Sequence, residues 1–163
     1  MSFDSSSNRP AGQTQKYDIE CLLNIESSGL DEQSYPIEIA WFRPNQNLSD
    51  TFLIKPAETW DYWDEVSEFN YHGISQSDLA EQGIDVHSAS QRLNRSLSGI
   101  NVTVDSYVFD TFWLKRLFDA SNTEMAFAVV PMIADLPEYF RPHRALPDVM
   151  AQFEVWKHWA NRH

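Results

Sequence analysis

Acidic, amide and histidine side chains occur in this sequence at spacings that allow divalent-metal chemistry. Asn24 and Glu26 stand two residues apart at the end of an apolar run, so on a β-strand both side chains point to the same side. Asp110 follows a second apolar run, and His143 precedes Asp148 by five residues. Mg²⁺ and Mn²⁺ prefer oxygen ligands, and a histidine with an unperturbed pKa of roughly 6.5 accepts protons near neutral pH. If these side chains converge, they can form a metal site with a base beside it.

The pattern of apolar residues predicts the elements that must position these side chains. Alternating or β-branched runs predict strands at 17–25, 35–42, 51–54, 100–104 and 125–130. Helical spacing predicts helices at 60–69, from Ser75 onward, and at 86–97, 109–118 and 148–160. This order indicates an α/β fold with a five-stranded mixed sheet flanked by helices.

Length and composition favour one globular domain at 16–163 that follows a polar, flexible N-terminal tail at 1–15. No apolar run reaches the roughly 18–20 residues that span a membrane, and a signal-peptide core is absent. We therefore expect a cytoplasmic protein without a membrane partner. The net charge of −12 argues against a broad basic surface along nucleic acid. It does not argue against a small site in which bound cations supply positive charge.

Four short segments carry a pattern that can be compared with known families. Residues 24–30 read Asn-Ile-Glu-Ser-Ser-Gly-Leu, residues 72–75 read His-Gly-Ile-Ser, and residues 109–110 read Phe-Asp. His143 is followed by Ala145, Leu146 and then Asp148. In this order the segments resemble the DEDD exonucleases of the RNase H-like fold, in the branch with a catalytic histidine. That branch includes ribonuclease T, oligoribonuclease and the proofreading subunits of bacterial polymerase III.

The resemblance covers nearly the whole chain and implies a metal-dependent 3′–5′ exonuclease that acts on single-stranded DNA or RNA ends or on short oligonucleotides. It implies two Mg²⁺ or Mn²⁺ ions and a general base that deprotonates the attacking water. The implied metal-ligand positions are Asn24, Glu26, Asp110 and Asp148, and the implied base is His143. The implied substrate contacts are Ser27, Ser28, Gly29, Leu30 and His72. Several members of the family are homodimers, which leaves dimerisation open.

Asn24 departs from the pattern because the family has aspartate at this position. An amide oxygen can coordinate a metal but brings no negative charge, so the ion between this residue and Asp110 should bind more weakly. Three explanations stay open: a deliberate inactivating substitution, a natural enzyme that is slow or metal-selective, and a non-catalytic module that binds nucleic-acid ends. The presence of Glu26, Asp110, His143 and Asp148 disfavours long-standing decay.

Three other groups of residues allow two interpretations each. Arg141 and Arg144 either hold phosphate or lie on the solvated surface. Asp105 is either a metal ligand or a turn residue at the end of a strand, and we favour the turn. The aromatic residues at 60–63 either stack on bases or fill the edge of the core, and we favour the core.

Overall fold

The computed structural model describes residues 16–163, so the predicted tail at 1–15 lies outside the described residues. Five strands form one mixed sheet in the order β3-β2-β1-β4-β5. β1 (Cys21–Ser27) pairs antiparallel with β2 (Pro36–Arg43), which pairs antiparallel with β3 (Leu48–Leu53). On the other side, β4 (Asn101–Val104) and β5 (Ala128–Pro131) continue the sheet in parallel.

The helices follow the predicted order. A short helix α1 (Glu65–Ser67) continues into one π-helical turn (Glu68–His72), and α2 (Gln76–Gln82) and α3 (Val86–Leu97) follow. α4 (Tyr107–Ala120) comes after β4, and α5 (Ala145–Ala160) ends the fold. Within residues 16–163, no helix is long and apolar enough to cross a membrane.

The sheet is covered on both faces, and one face carries the candidate site. Leu23, Ile39 and Val102 pack with α3 and α4 in the larger core, whereas Leu22 and Phe42 pack with α5 in the smaller one. Because side chains alternate along a strand, the side chains of Asn24 and Glu26 share the face of Leu22. β1 therefore directs them toward α5.

Most predicted bounds differ from the observed elements by a few residues, and three of these differences bear on the candidate site. β1 extends to Ser27 rather than ending at residue 25, so Glu26 lies inside the strand. The helix predicted at 60–69 begins only at Glu65, because the Asp64 side chain caps its first turn by accepting a hydrogen bond from Val66 N–H. The last helix begins at Ala145 rather than at residue 148, which places Asp148 in its first turn.

Candidate active site

Three elements carry the acidic residues of the candidate site. Glu26 lies near the end of β1, where the pairing register with β2 shifts between Glu26 and Ser27. An irregularity of this kind alters the course of the paired strands, and bulges of this type are common beside functional sites. Asp110 lies in the first turn of α4, and Asp148 lies in the first turn of α5. Both aspartates are buried, with exposed fractions of 4% and 5%, so neither is a solvated surface acid.

Three of the predicted residues come together closely. One carboxylate oxygen from each of Glu26 and Asp148 and one ring nitrogen of His143 all lie within 4.8 Å of one another. The backbone N–H of His143 donates to Asp148 Oδ1 at 2.9 Å, which ties the histidine to the first turn of α5. Asp110 is not part of this tight group. The two carboxylate oxygens suit a hard divalent cation, and the imidazole nitrogen lies beside them.

Two acids of the candidate site have raised pKa values. The pKa of Glu26 is raised to about 9, mainly by burial and in addition by the hydrogen bond and charge of Asp148 and the charges of Glu38 and Asp110. Burial likewise raises the pKa of Asp110 to about 7. A bound divalent cation would favour the charged form of both groups. The donor set and its charge thus fit a divalent metal.

These shifts predict how the stability of the metal-free protein depends on pH. Folded Glu26 and Asp110 keep protons that the unfolded chain releases above its ordinary pKa values of 4.5 and 3.8. The free energy of unfolding should therefore fall between about pH 5 and about pH 7, by about 1.4 kcal/mol per pH unit for each retained proton. Denaturant unfolding with a chelator present measures this slope. It should be smaller in Glu26→Gln, and a stability that rises with pH in the parent would contradict the assignment.

Asn24 lies on the same face as Glu26, and its side-chain Oδ1 is buried without a hydrogen-bond partner. A buried carbonyl oxygen without a donor is costly, because it has lost its contacts with water. A cation would satisfy this oxygen. The position is thus suited to a metal ligand even though the residue is an amide.

The turn after β1 is held by its own hydrogen bonds. Ser28 is fully buried, and its Oγ accepts from the backbone N–H of Tyr35 at 3.1 Å. The Ser27 hydroxyl donates to the carbonyl of Gly29 at 2.6 Å. In this arrangement both hydroxyls stabilise the turn. Leu30, in contrast, is 69% exposed and lines the cleft.

Close packing around residue 29 favours glycine at this position, in addition to the substrate contact that the resemblance implies. A Cβ atom at this position would lie 2.8 Å from Cε1 of Tyr62 and 3.1 Å from Cβ of Asp64. The backbone N–H of Asp64 donates to the carbonyl of Ser28 at 2.9 Å, which holds the two segments together. Glycine at this position therefore allows the segment at 62–64 to pack directly on the turn.

His72 is a buried donor at the wall of the cleft. It is 5% exposed, and its Nδ1 accepts from the backbone N–H of Ile74 at 2.9 Å. The proton of the neutral ring must therefore lie on Nε2, which is buried and has no partner. Burial is the main cause that lowers the pKa of His72 and so favours the neutral ring. An oxygen atom of a ligand could satisfy this N–H.

A cleft of about 270 Å³ lies beside Glu26, His72 and His143. It is lined by six predicted site residues, namely Glu26, Ser27, Gly29, Leu30, His72 and His143. Four further residues, which the sequence did not single out for the site, also line it: Ile25, Ser67, Tyr71 and Trp113. The Tyr71 ring lies 5.0 Å from the His143 ring, measured between centroids. The exposed apolar walls beside the acids are suited to a flat aromatic group, such as a base.

The structure also gives the surroundings of the two arginines, Asp105 and Trp60, for which the sequence allowed two interpretations each. Arg141 contacts Asp105, and Arg144 contacts Glu38, so both guanidinium groups bind carboxylates of the protein itself. Asp105 is an ion-pair partner and is not among the residues of the tight group. Trp60 is buried and stacks on Tyr35, which confirms the prediction that it fills the core.

Comparison with solved structures shows that the fold is RNase H-like, as predicted. E. coli exonuclease I, in a zinc-bound complex with single-stranded DNA, matches with a TM-score of 0.70 at 13% identity, over 88% of this chain and 40% of that chain. Its complex with a dT13 oligonucleotide matches with a TM-score of 0.65 at 14% identity, over 87% and 41%. Exonuclease I from Methylocaldum szegediense matches with a TM-score of 0.63 at 16% identity, over 80% and 38%.

The chain spans about two fifths of the length of these exonuclease I structures. At this level of identity the similarity is one of fold. No protein-family model matches the chain, and no curated protein matches it.

Proposed function

We propose that this chain is a metal-dependent 3′–5′ exonuclease that hydrolyses the terminal phosphodiester bond of single-stranded DNA or RNA, or of short oligonucleotides. The observation that carries the proposal is the meeting of Glu26, His143 and Asp148, whose ligand atoms lie within 4.8 Å of one another. The fold supports it, since two of the exonuclease I structures that share the fold are complexes with single-stranded DNA and with a dT13 oligonucleotide.

Glu26, Asp110 and Asp148 would hold Mg²⁺ or Mn²⁺ through carboxylate oxygens, and Asn24 would contribute its orphaned amide oxygen. In a two-metal arrangement the ions lower the pKa of water and stabilise charge on the attacking and leaving oxygens. The proposal assigns both ions to this one cleft, as the family resemblance implies. It also explains how a chain with a net charge of −12 can bind a phosphodiester.

The remaining steps fall to side chains of the cleft. His143 accepts a proton from the attacking water, because its ring is the basic group beside Glu26 and Asp148. Leu30, exposed at the rim, packs against the terminal base. His72 donates its unpartnered Nε2–H to a sugar or phosphate oxygen of the terminal nucleotide. The backbone at Ser27, Ser28 and Gly29 forms the floor beneath the nucleotide.

A strand labelled at its 5′ end tests the proposal on the protein as it is. Single-stranded DNA and RNA of equal length are incubated with Mg²⁺, with Mn²⁺ and with a chelator, and binding is measured in parallel. We expect a ladder that shortens one nucleotide at a time from the 3′ end and disappears with the chelator.

The second candidate function is end binding without catalysis, which Asn24 favours because it leaves the metal site one negative charge short. Tight binding to the single-stranded end with no shortening, both in the parent and in Asn24→Asp, would contradict the enzyme and support this alternative. Cleavage that persists with the chelator would contradict the metal dependence.

A further inference from the structure

The segment that carries His143 is fixed on both sides by ion pairs. Arg141 lies two residues before the histidine, and Arg144 lies directly after it. Each guanidinium group binds a carboxylate on a different strand end of the sheet, at Asp105 and at Glu38. The histidine therefore lies between two points of attachment to the sheet.

The first attachment joins the loop to the end of β4. Arg141 Nη2 donates to Asp105 Oδ2 at 2.5 Å, and the Arg141 guanidinium also lies 4.9 Å from the centre of the Tyr139 ring. Asp105 follows β4 directly and stands five residues before Asp110. This contact thus links the histidine loop to the segment that delivers a proposed metal ligand.

The second attachment joins the loop to β2. Glu38 is 4% exposed and pairs with Glu26 across the β1–β2 ladder. Arg144 donates to both oxygens of Glu38, from Nη2 at 2.6 Å and from Nε at 3.1 and 3.2 Å. The backbone N–H of Ala145 donates to the same carboxylate at 2.6 Å. Glu38 therefore caps the start of α5 from another element, as Arg144 makes no side-chain cap of its own.

The backbone of His143 is restrained between these attachments. Its φ is +58°, a left-handed conformation that is uncommon for a residue other than glycine. Its N–H is bound by Asp148. A non-glycine residue stays in this conformation when its surroundings determine it, and such positions cluster at functional sites.

We propose that Asp105 and Glu38 are positioning residues that hold the proposed general base, through Arg141 and Arg144, in place beside Glu26 and Asp148 before substrate binds. This inference rests on the proposed function for the role of His143, but the fixed loop itself does not. Neither acid contacts the substrate or a metal in this account. They act on the reaction only through the position of the histidine.

Hydrogen exchange of the backbone amides tests the fixed loop without any activity. In Asp105→Asn and in Arg141→Gln, exchange in the peptide that covers 137–145 should be faster by about tenfold or more, because each variant weakens a charge-assisted hydrogen bond. Asp50→Asn is the matched control. It breaks the Arg92–Asp50 pair, whose side chains are exposed to a similar degree, 40% and 23% against 40% and 26%. Unchanged exchange at 137–145 in both test variants would overturn the proposal.

A kinetic cycle tests the positioning role. In the Asn24→Asp background, Asp105→Asn should lower kcat by about tenfold or more and leave KM nearly unchanged, with the melting temperature as the check on folding. In a background that also carries His143→Ala, the same substitution should have no further effect on kcat, because Asp105 acts on the rate only through the His143 ring. An equal fall of kcat with and without His143 would overturn the positioning role. Absence of activity in all variants, with exchange altered as expected, would instead count against the proposed function alone.

Discussion

Asn24→Asp is expected to increase the rate of phosphodiester hydrolysis by about a hundredfold or more at subsaturating Mg²⁺ or Mn²⁺. The Asn24 Oδ1 atom is buried without a partner on the face that carries Glu26, so the new carboxylate enters the proposed metal site. Two opposite unit charges about 4 Å apart attract each other by about 4 kcal/mol at the effective dielectric constant of about 20 that suits such sites. Part of this energy offsets the desolvation of the carboxylate, and the rest strengthens ion binding.

Asn47→Asp is the matched control for this substitution. Asn47 is exposed in the turn between β2 and β3, at the end of β2 away from Glu38. The substitution adds the same charge outside the cleft, in a left-handed conformation that aspartate tolerates. Hydrolysis and Mn²⁺ affinity should both rise in Asn24→Asp and stay unchanged in Asn47→Asp. Equal Mn²⁺ affinity in the parent and both variants would contradict a ligand role for residue 24.

His143→Ala, in the Asn24→Asp background, is expected to lower kcat by about 10²- to 10⁴-fold, the usual contribution of a positioned general base. The KM for an oligonucleotide should change little, because the ring accepts a proton rather than holding the strand. Single-turnover kinetics at saturating enzyme measure the chemical step.

His158→Ala serves as the control for this loss, since His158 is an exposed histidine in the last turns of α5. It should keep the rate of the background. A similar kcat in His143→Ala and His158→Ala would contradict the role of His143 as general base. Catalysis would then depend on the metal site alone.

The predictable part of the site depends on local sequence. Glu26, His143 and Asp148 could be assigned because strand periodicity, helix starts and the resemblance refer to short segments, and the structure brings these three together. The five-stranded mixed sheet followed from the same local patterns. The boundaries differed by a few residues where a cap or a bulge decides them, as at Asp64 and at Glu26.

The unpredicted part depends on contacts between distant segments. Glu38 reads as the polar residue of an alternating strand, and only the placement of α5 on that face explains a buried carboxylate at this position. Arg144 and Asp105 likewise form ion pairs with residues that are distant in the sequence, Glu38 and Arg141. Tyr71 reaches His143 because α1 continues into a π-helical turn, for which the sequence carries no clear signal.

The most direct test of the central claim compares linear and circular single-stranded DNA of the same sequence as substrates for Asn24→Asp with Mn²⁺. The linear strand should be degraded to mononucleotides, the circle should stay intact, and adding His143→Ala should stop the degradation. A circle that is opened, or a linear strand that stays whole while Mn²⁺ is bound, would contradict the assignment of this cleft as a 3′–5′ exonuclease site.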